Sequence, residues 1–136
     1  MTDRQTLFSY RLQQADVTLN DGKIMFAQGC SPQSVVNRAY YAVFYCVLAL
    51  YLKTGILTKT SKHSGIIGIF DKEFIMTGKL EKANSQIFHS LFDDRQEFDY
   101  KEQAVATKDQ AEMALQSAEV FLLSIKKYIA DLPDFD

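Results

Sequence analysis

The sequence predicts an all-α protein, and three observations support that prediction. Only two prolines, Pro32 and Pro133, interrupt the 136 residues. Glycine and proline cluster at a few points, and long stretches with helical spacing of apolar residues lie between them. A hydrophobic fraction of 47% beside 24% charged residues is typical of a folded globular chain. A chain of this length suits one domain, residues 1–136, built around one core.

Two long helices are predicted first. The first covers about residues 2–28, although Asn-Asp-Gly at 20–22 is also a turn signal that would kink it. The second has the clearest start, because Ser31 is a good cap and Pro32 suits the first helical position. It continues to about Thr54, and apolar residues surround it on almost every side. We therefore expect it to be the central, most buried element of the fold.

Three further helices are predicted after a polar loop at residues 55–63. The third is short, and the fourth carries an arginine on its apolar face. The fifth opens with a capping-box pattern at Thr107 and Gln110. The predicted bounds are Ser64–Thr77 for the third helix, Leu80 or Asn84 to Phe98 for the fourth, and Thr107–Leu132 for the fifth.

The residue that stands out for function is Arg95. In a helix, it shares one face with four apolar residues: Phe88, Leu91, Phe92 and Phe98. A guanidinium keeps its charge there, so it needs carboxylates, carbonyls or an anionic ligand as partners. Asp94, Asp99 and Tyr100 are the nearest candidates in sequence. A structural ion pair and a ligand site both explain the pattern, and the sequence leaves both open.

A second group of polar residues lies on the second helix and in the loop after it. Tyrosines on a buried helix pack a large ring and keep a hydroxyl that needs a partner. Packing in the core explains these tyrosines. A line of polar side chains on an otherwise apolar helix, shared with Arg95, explains them as well. Basic loop residues before the third helix are of a kind that contacts phosphates. The candidate ligand-binding residues are Asn37, Arg38, Tyr41, Tyr45, Lys62 and His63.

Several common kinds of site have no pattern in this sequence. His63 and His89 are the only histidines, and no HExxH or CxxC pattern accompanies them. Cys30 and Cys46 do not have a metal-like spacing and form no disulfide framework. No P-loop, GxGxxG or GxSxG motif is present. We therefore predict no metal and no cofactor.

Net charge and hydropathy limit the classes of partner and the cellular compartment that this sequence favours. The net charge of −2 does not indicate a broad nucleic-acid surface, although a local basic cleft remains compatible with it. The N-terminal residues lack the apolar core of a signal peptide. The most apolar run, residues 39–52, is shorter than the roughly 20 residues that span a bilayer. We expect a soluble, cytoplasmic protein without a membrane partner.

Three blocks of sequence, taken in order, resemble the HEPN domain family. They are NRAYYAVFY at 37–45, KHSGIIGIFDKEFIMTGKL at 62–80 and LFDDRQEFDY at 91–100. The likeness is closest to small stand-alone bacterial and archaeal members, and it spans essentially one domain. The resemblance implies an up-and-down bundle of four long helices plus a short one. It also implies a homodimer and a minimal nucleotidyltransferase partner, with which many members form toxin–antitoxin pairs.

The resemblance also implies a role for Arg95. Several HEPN proteins are metal-independent ribonucleases in which an arginine, followed after four to six residues by a histidine, carries the chemistry. Arg95 matches that arginine, but Tyr100 follows the four-residue gap and no histidine lies beyond it. A tyrosine, with an ordinary pKa of about 10, is a poor base at pH 7. We therefore expect weak or no ribonuclease activity from the isolated protein. In some family pairs the transferase adenylylates a tyrosine near the motif, which makes Tyr100 a candidate modification site.

Three functional hypotheses follow. The leading one is a HEPN toxin–antitoxin component that binds a nucleotide or RNA and acts with a nucleotidyltransferase partner. The second is an active metal-independent ribonuclease that uses Arg95 with Asp94, Asp99 or Tyr100. The third is a structural helical adaptor without a ligand site, in which Arg95 forms an ion pair. We expect a homodimer built mainly on the second and fourth helices, with the first and last helices as the alternative surface.

Overall fold

Five α-helices and one π-helical segment form the computed structural model, which describes residues 2–60, 62–101 and 104–135. The elements are α1 (Asp3–Ala27), α2 (Pro32–Thr54), α3 (His63–Phe70), a π-helical segment (Asp71–Ile75), α4 (Lys82–Tyr100) and α5 (Lys108–Ala130). No strand is present in these three ranges. The predicted all-α fold is confirmed.

α2 lies at the centre of the bundle and packs against α1, α4 and α5. Its residues Tyr40, Val43, Val47 and Leu50 are completely buried. Among the described residues, α2 is the one helix long and apolar enough to cross a membrane, but 67% of its most apolar 18-residue stretch is buried inside the protein. Packing on three sides therefore explains why apolar residues surround this helix.

α1 runs antiparallel to both α2 and α5, and α2 and α5 are therefore parallel to each other. Lys23 of α1 pairs with Glu119 of α5, whereas Asp16, earlier in α1, pairs with Lys126, later in α5. The end of α4 lies beside the start of α2 in the same antiparallel manner. This arrangement brings the polar start of α2 next to the polar end of α4, where most of the candidate site residues lie.

Local capping signals fix both ends of α2 and the start of α5 where the sequence predicts them. Ser31 caps α2 through a hydrogen bond from the backbone N–H of Ser34, and Gly55 ends the helix with a φ of 78°. Thr107 and Gln110 form the predicted capping box at the start of α5. These contacts are made within a few residues, so they do not depend on how the helices pack together.

α1 passes through residues 20–22 without the break that the turn signal there suggests. Gly22 serves helix packing instead of a turn. A Cβ at this position would lie 2.9 Å from Cδ2 of Leu115 and 3.2 Å from Cβ of Arg38. The glycine therefore allows α1 to approach both α2 and α5 closely.

The third and fourth helices also differ from the prediction. The third begins at His63, and the part over Asp71–Ile75 is π-helical rather than α-helical. The fourth continues two residues beyond the predicted end, to Tyr100. This extension keeps Asp99 helical, one turn after Arg95, with which it forms an ion pair.

Candidate functional site

The guanidinium of Arg95 is surrounded by aromatic rings. The side chain is only 12% exposed. Its Nη2 atom donates hydrogen bonds to the hydroxyl of Tyr41 at 3.0 Å and to that of Tyr100 at 3.1 Å. The guanidinium carbon lies 5.3–5.5 Å from the ring centroids of Tyr40, Tyr41 and Tyr100. Three tyrosines from α2 and α4 thus form a cage around one cation.

The charge of Arg95 is balanced in part by Asp99. Arg95 Nε lies 3.3 Å from Asp99 Oδ2 in an i,i+4 ion pair. The alignment does not make a hydrogen bond, so this buried Nε–H has no hydrogen-bond partner among the described residues. Asp99 Oδ2 accepts a hydrogen bond from Asn37 Nδ2 at 3.0 Å, and Asn37 Oδ1 accepts one from Arg38 Nη2 at 2.7 Å. Arg95 therefore retains donor capacity that the protein does not use.

His63 reaches the same region from the start of α3. Its Nδ1 atom lies 2.7 Å from the hydroxyl oxygen of Tyr40, and its ring stacks on Phe44 with centroids 4.2 Å apart. Burial and, secondarily, the charge of Arg95 lower the pKa of His63 from its ordinary value. Burial raises the pKa of the Tyr40 hydroxyl, against a smaller opposing effect of Arg95. Both side chains are therefore neutral at pH 7.

An open cleft of about 530 Å³ lies over these side chains. Small-molecule sites commonly have volumes of roughly 300–1,000 Å³. Among the described residues that line it, two are cations and none is a carboxylate. The lining of this space, which we name the Arg95 cleft, consists of Lys62, His63, Ser64, Phe92, Arg95, Gln96 and Tyr100. Its charge and its hydrogen-bond donors favour an anionic ligand.

Comparison with known proteins identifies the family. The model of the HEPN domain matches residues 8–128. The chain belongs to the HEPN family. The match confirms the resemblance that the three sequence blocks indicate.

Relatives of this HEPN protein occur in bacteria and archaea. A protein of Thermotoga maritima, described as a UPF0332 protein, is 35% identical over 132 residues, which cover 97% of this chain and 98% of the relative. Two proteins of Methanocaldococcus jannaschii, each described as a "putative toxin", are 39% identical over 94 residues and 31% identical over 118 residues. Those alignments cover 69% and 87% of this chain, and 63% and 85% of the relatives.

The HEPN fold brings most of the predicted site residues together around Arg95. They are Asn37, Arg38, Tyr41, Lys62, His63, Asp99 and Tyr100. Tyr45 lies one turn beyond Tyr41 on α2, with its ring centroid 6.0 Å from the guanidinium carbon of Arg11. It does not line the Arg95 cleft.

Asp94 lies on a different side of α4, which corrects its expected place beside Arg95. Consecutive helical residues point about 100° apart, since a turn contains 3.6 residues. Asp94 and Asp93 line a groove of about 520 Å³ between α4 and α5. Burial, with smaller effects of Glu97 and Asp93, raises the pKa of Asp94. Asp94 is therefore not placed to act on a ligand in the Arg95 cleft.

Tyr40 is the site residue that the sequence analysis missed. Its hydroxyl contacts His63, 23 residues later in the sequence. The other histidine, His89, pairs instead with Asp71, with Nε2 and Oδ2 2.6 Å apart. Within the described part of the chain, no group of three or more His, Cys, Asp and Glu side chains could hold a metal ion.

Proposed function

We propose that this HEPN protein is the toxin component of a two-protein pair and that its Arg95 cleft binds a phosphate group of RNA or of a nucleotide. The observation that carries the proposal is the position of the Arg95 guanidinium and its hydrogen bonds. Its guanidinium lines the cleft, and its hydrogen bonds to described residues are the two that Nη2 donates to tyrosine hydroxyls. A phosphate supplies the acceptor oxygens and the charge that a planar guanidinium suits. Lys62 adds a second positive charge to the lining.

Aromatic residues beside these cations favour a ligand that carries a base as well as a phosphate. Phe92 and Tyr100 both line the cleft. Bases of single-stranded RNA commonly stack on aromatic side chains while basic residues contact the backbone. Tyr100 is 68% exposed, which also leaves it accessible to a modifying partner.

The proposed toxin role is supported by the relatives, two of which are described as a "putative toxin". The partner that we propose is a minimal nucleotidyltransferase, as in the family pairs that the sequence resembles. We also propose a cytoplasmic location, because α2 is packed inside the protein and shows the burial of a core helix.

For the proposed homodimer, an interface on α1 and α5 is better supported than one on α2 and α4. Large apolar side chains that remain exposed lie mainly on these two helices: Leu7, Tyr10, Val17, Ile24, Met113, Val120 and Leu123. Exposed apolar area of this kind is a common mark of association. Sedimentation velocity should show a dimer, and a monomer at tens of micromolar would contradict it.

Fluorescence anisotropy with a labelled single-stranded RNA and, separately, a labelled adenine nucleotide tests the phosphate site. Arg95→Ala should weaken binding at least tenfold, because hydrogen bonds to charged groups contribute about 1.5–3 kcal/mol. Arg11→Ala is the matched control, since it removes the same charge from α1, outside the cleft. If both variants lost the same affinity, the loss would come from the change in net charge and not from a specific site at Arg95. A wild-type protein that binds neither probe would favour the structural adaptor hypothesis.

A further inference from the structure

We infer that His63 is a fixed hydrogen-bond donor to phosphate, held in its Nε2–H tautomer by Tyr40, and that the Arg95 cleft therefore binds its ligand without cleaving RNA. This inference rests on the phosphate-binding function proposed above. The added elements are the tautomer and the donor role of His63, at the start of α3.

The contact with Tyr40 determines which nitrogen of His63 carries the proton. Tyr40 is completely buried, and its hydroxyl lies 2.7 Å from His63 Nδ1. This hydroxyl makes no other hydrogen bond with the described residues. The guanidinium of Arg95, 5.5 Å from the ring centroid of Tyr40, offers only donors. Because a buried O–H without an acceptor is strongly disfavoured, the hydroxyl donates to Nδ1 and the neutral imidazole carries its hydrogen on Nε2.

The Nε2 edge of His63 is then the edge left for a ligand. Tyr40 occupies Nδ1, and Phe44 covers one face of the ring at a centroid distance of 4.2 Å. His63 is half-buried and lines the cleft beside Arg95 and Lys62. Nε2 makes no hydrogen bond within the described part of the chain. The cleft thus presents an N–H donor, a guanidinium and an ammonium to one anion.

This donor does not supply the first step of metal-independent RNA cleavage. That step needs a base that takes the proton of the 2′-hydroxyl, after which the 2′-oxygen attacks phosphorus and the bond to the 5′-oxygen breaks. An Nε2 atom that carries hydrogen has no free electron pair for the proton. The alternative Nδ1–H tautomer would leave the buried hydroxyl of Tyr40 without an acceptor. Asp99, the described carboxylate beside Arg95, does not line the cleft and is already engaged by Asn37 and Arg95.

Long-range 1H–15N NMR of the imidazole rings tests the tautomer directly. At pH 7 we expect a pyridine-like Nδ1 and a pyrrole-like Nε2 for His63. The chain has only two histidines, so His89→Ala assigns the signals and provides the matched control. Tyr40→Phe keeps the ring but removes the donor, and it should shift population toward the other tautomer. A pyrrole-like Nδ1 in the wild-type protein would overturn the inference.

Binding by two amide variants tests the role of the Nε2–H donor. The side chain of His63→Gln can place an N–H near the position of Nε2, whereas that of His63→Asn is too short to reach it. With single-stranded RNA and adenosine monophosphate as separate probes, His63→Asn should weaken binding roughly tenfold, and His63→Gln should keep most of the affinity. The probe whose binding changes between the variants shows whether the phosphate belongs to RNA or to a free nucleotide. Circular dichroism melts of both variants verify that they are folded.

The failures of this inference and of the proposed function are distinguishable. If Arg95→Ala binds as well as the wild type, the phosphate site itself fails, whatever tautomer NMR shows. If Arg95→Ala loses binding while His63→Asn binds like the wild type, the site stands and the role of His63 is wrong. RNA cleavage in the presence of a chelator that is lost in His63→Ala would show that His63 acts as a base, and it would overturn the inference.

Discussion

Asn37 and Asp99, 62 residues apart in the sequence, are joined by a hydrogen bond of 3.0 Å from Nδ2 to Oδ2. The same Oδ2 atom lies 3.3 Å from Nε of Arg95. Asp99 therefore holds the end of α4 against the start of α2. It also reduces the positive potential in the Arg95 cleft, and because its side chain is 27% exposed, solvent screens this effect in part.

Asp99→Asn should strengthen phosphate binding by roughly fivefold, because it removes a negative charge beside Arg95 and keeps an acceptor for Asn37. The measurement is a titration with adenosine monophosphate at low ionic strength. Asp93→Asn is the matched control, since it removes the same charge from the groove between α4 and α5. An equal gain in both variants, or weaker binding by Asp99→Asn, would contradict a specific effect on Arg95.

Arg95→Ala should lower the free energy of unfolding by no more than about 1–2 kcal/mol. Asp99 keeps Asn37 as its hydrogen-bond partner and keeps contact with water, so it is not left as an isolated buried charge. Removing one partner of a buried ion pair would instead cost about 3–5 kcal/mol. Urea unfolding followed by circular dichroism distinguishes the two cases. A loss in the higher range would support the structural adaptor hypothesis.

Arg95→Ala should also raise the pKa of His63, because the guanidinium disfavours the positively charged imidazolium. Desolvation is the larger cause of the lowered pKa and remains in the variant, so the pKa should stay below the ordinary value of 6.5. An NMR titration of both histidines measures this, with His89 as the internal reference. An unchanged pKa of His63 would show that the two side chains do not interact electrostatically.

The lowered pKa of His63 has a consequence for stability. Between the folded-state pKa and 6.5, the unfolded chain binds more protons at this residue than the folded protein does. The contribution of His63 to stability should therefore be lost as pH falls from 6.5 through the folded-state pKa. Urea unfolding of wild-type protein and His63→Gln at a series of pH values measures the difference. Parallel stability curves for the two proteins would contradict the prediction.

Gly22→Ala should destabilise the fold by about 1–3 kcal/mol, because the new methyl group would overpack the contact with Leu115 and Arg38. Gly68→Ala is the matched control within α3, where a Cβ would meet nothing within 4 Å. That control should be neutral or stabilising by about 0.5–1 kcal/mol, since alanine favours the helix. Thermal melts of both variants provide the comparison, and equal shifts would contradict the packing role of Gly22.

The sequence by itself determined the helices, most of their ends, and the unusual place of Arg95. Ser31, Gly55 and Thr107 act through hydrogen bonds with residues a few positions away, so these ends can be read from local order. The i,i+4 spacing of Arg95 and Asp99 is equally local, and it made Asp99 a candidate partner. The all-round apolar character of α2 likewise predicted its central position.

Only the tertiary structure decided which distant side chains complete the site. The hydroxyl of Tyr40 meets His63 because α3 begins beside the middle of α2, and Asn37 meets Asp99 because α2 and α4 are antiparallel and in this register. The sequence also could not show that Asp94 faces α5 rather than the cleft. Periodicity shows which face of a helix is apolar, but many rotations and offsets of packed helices satisfy the same pattern. Close packing selects one of them, and that choice places His63 beside Arg95.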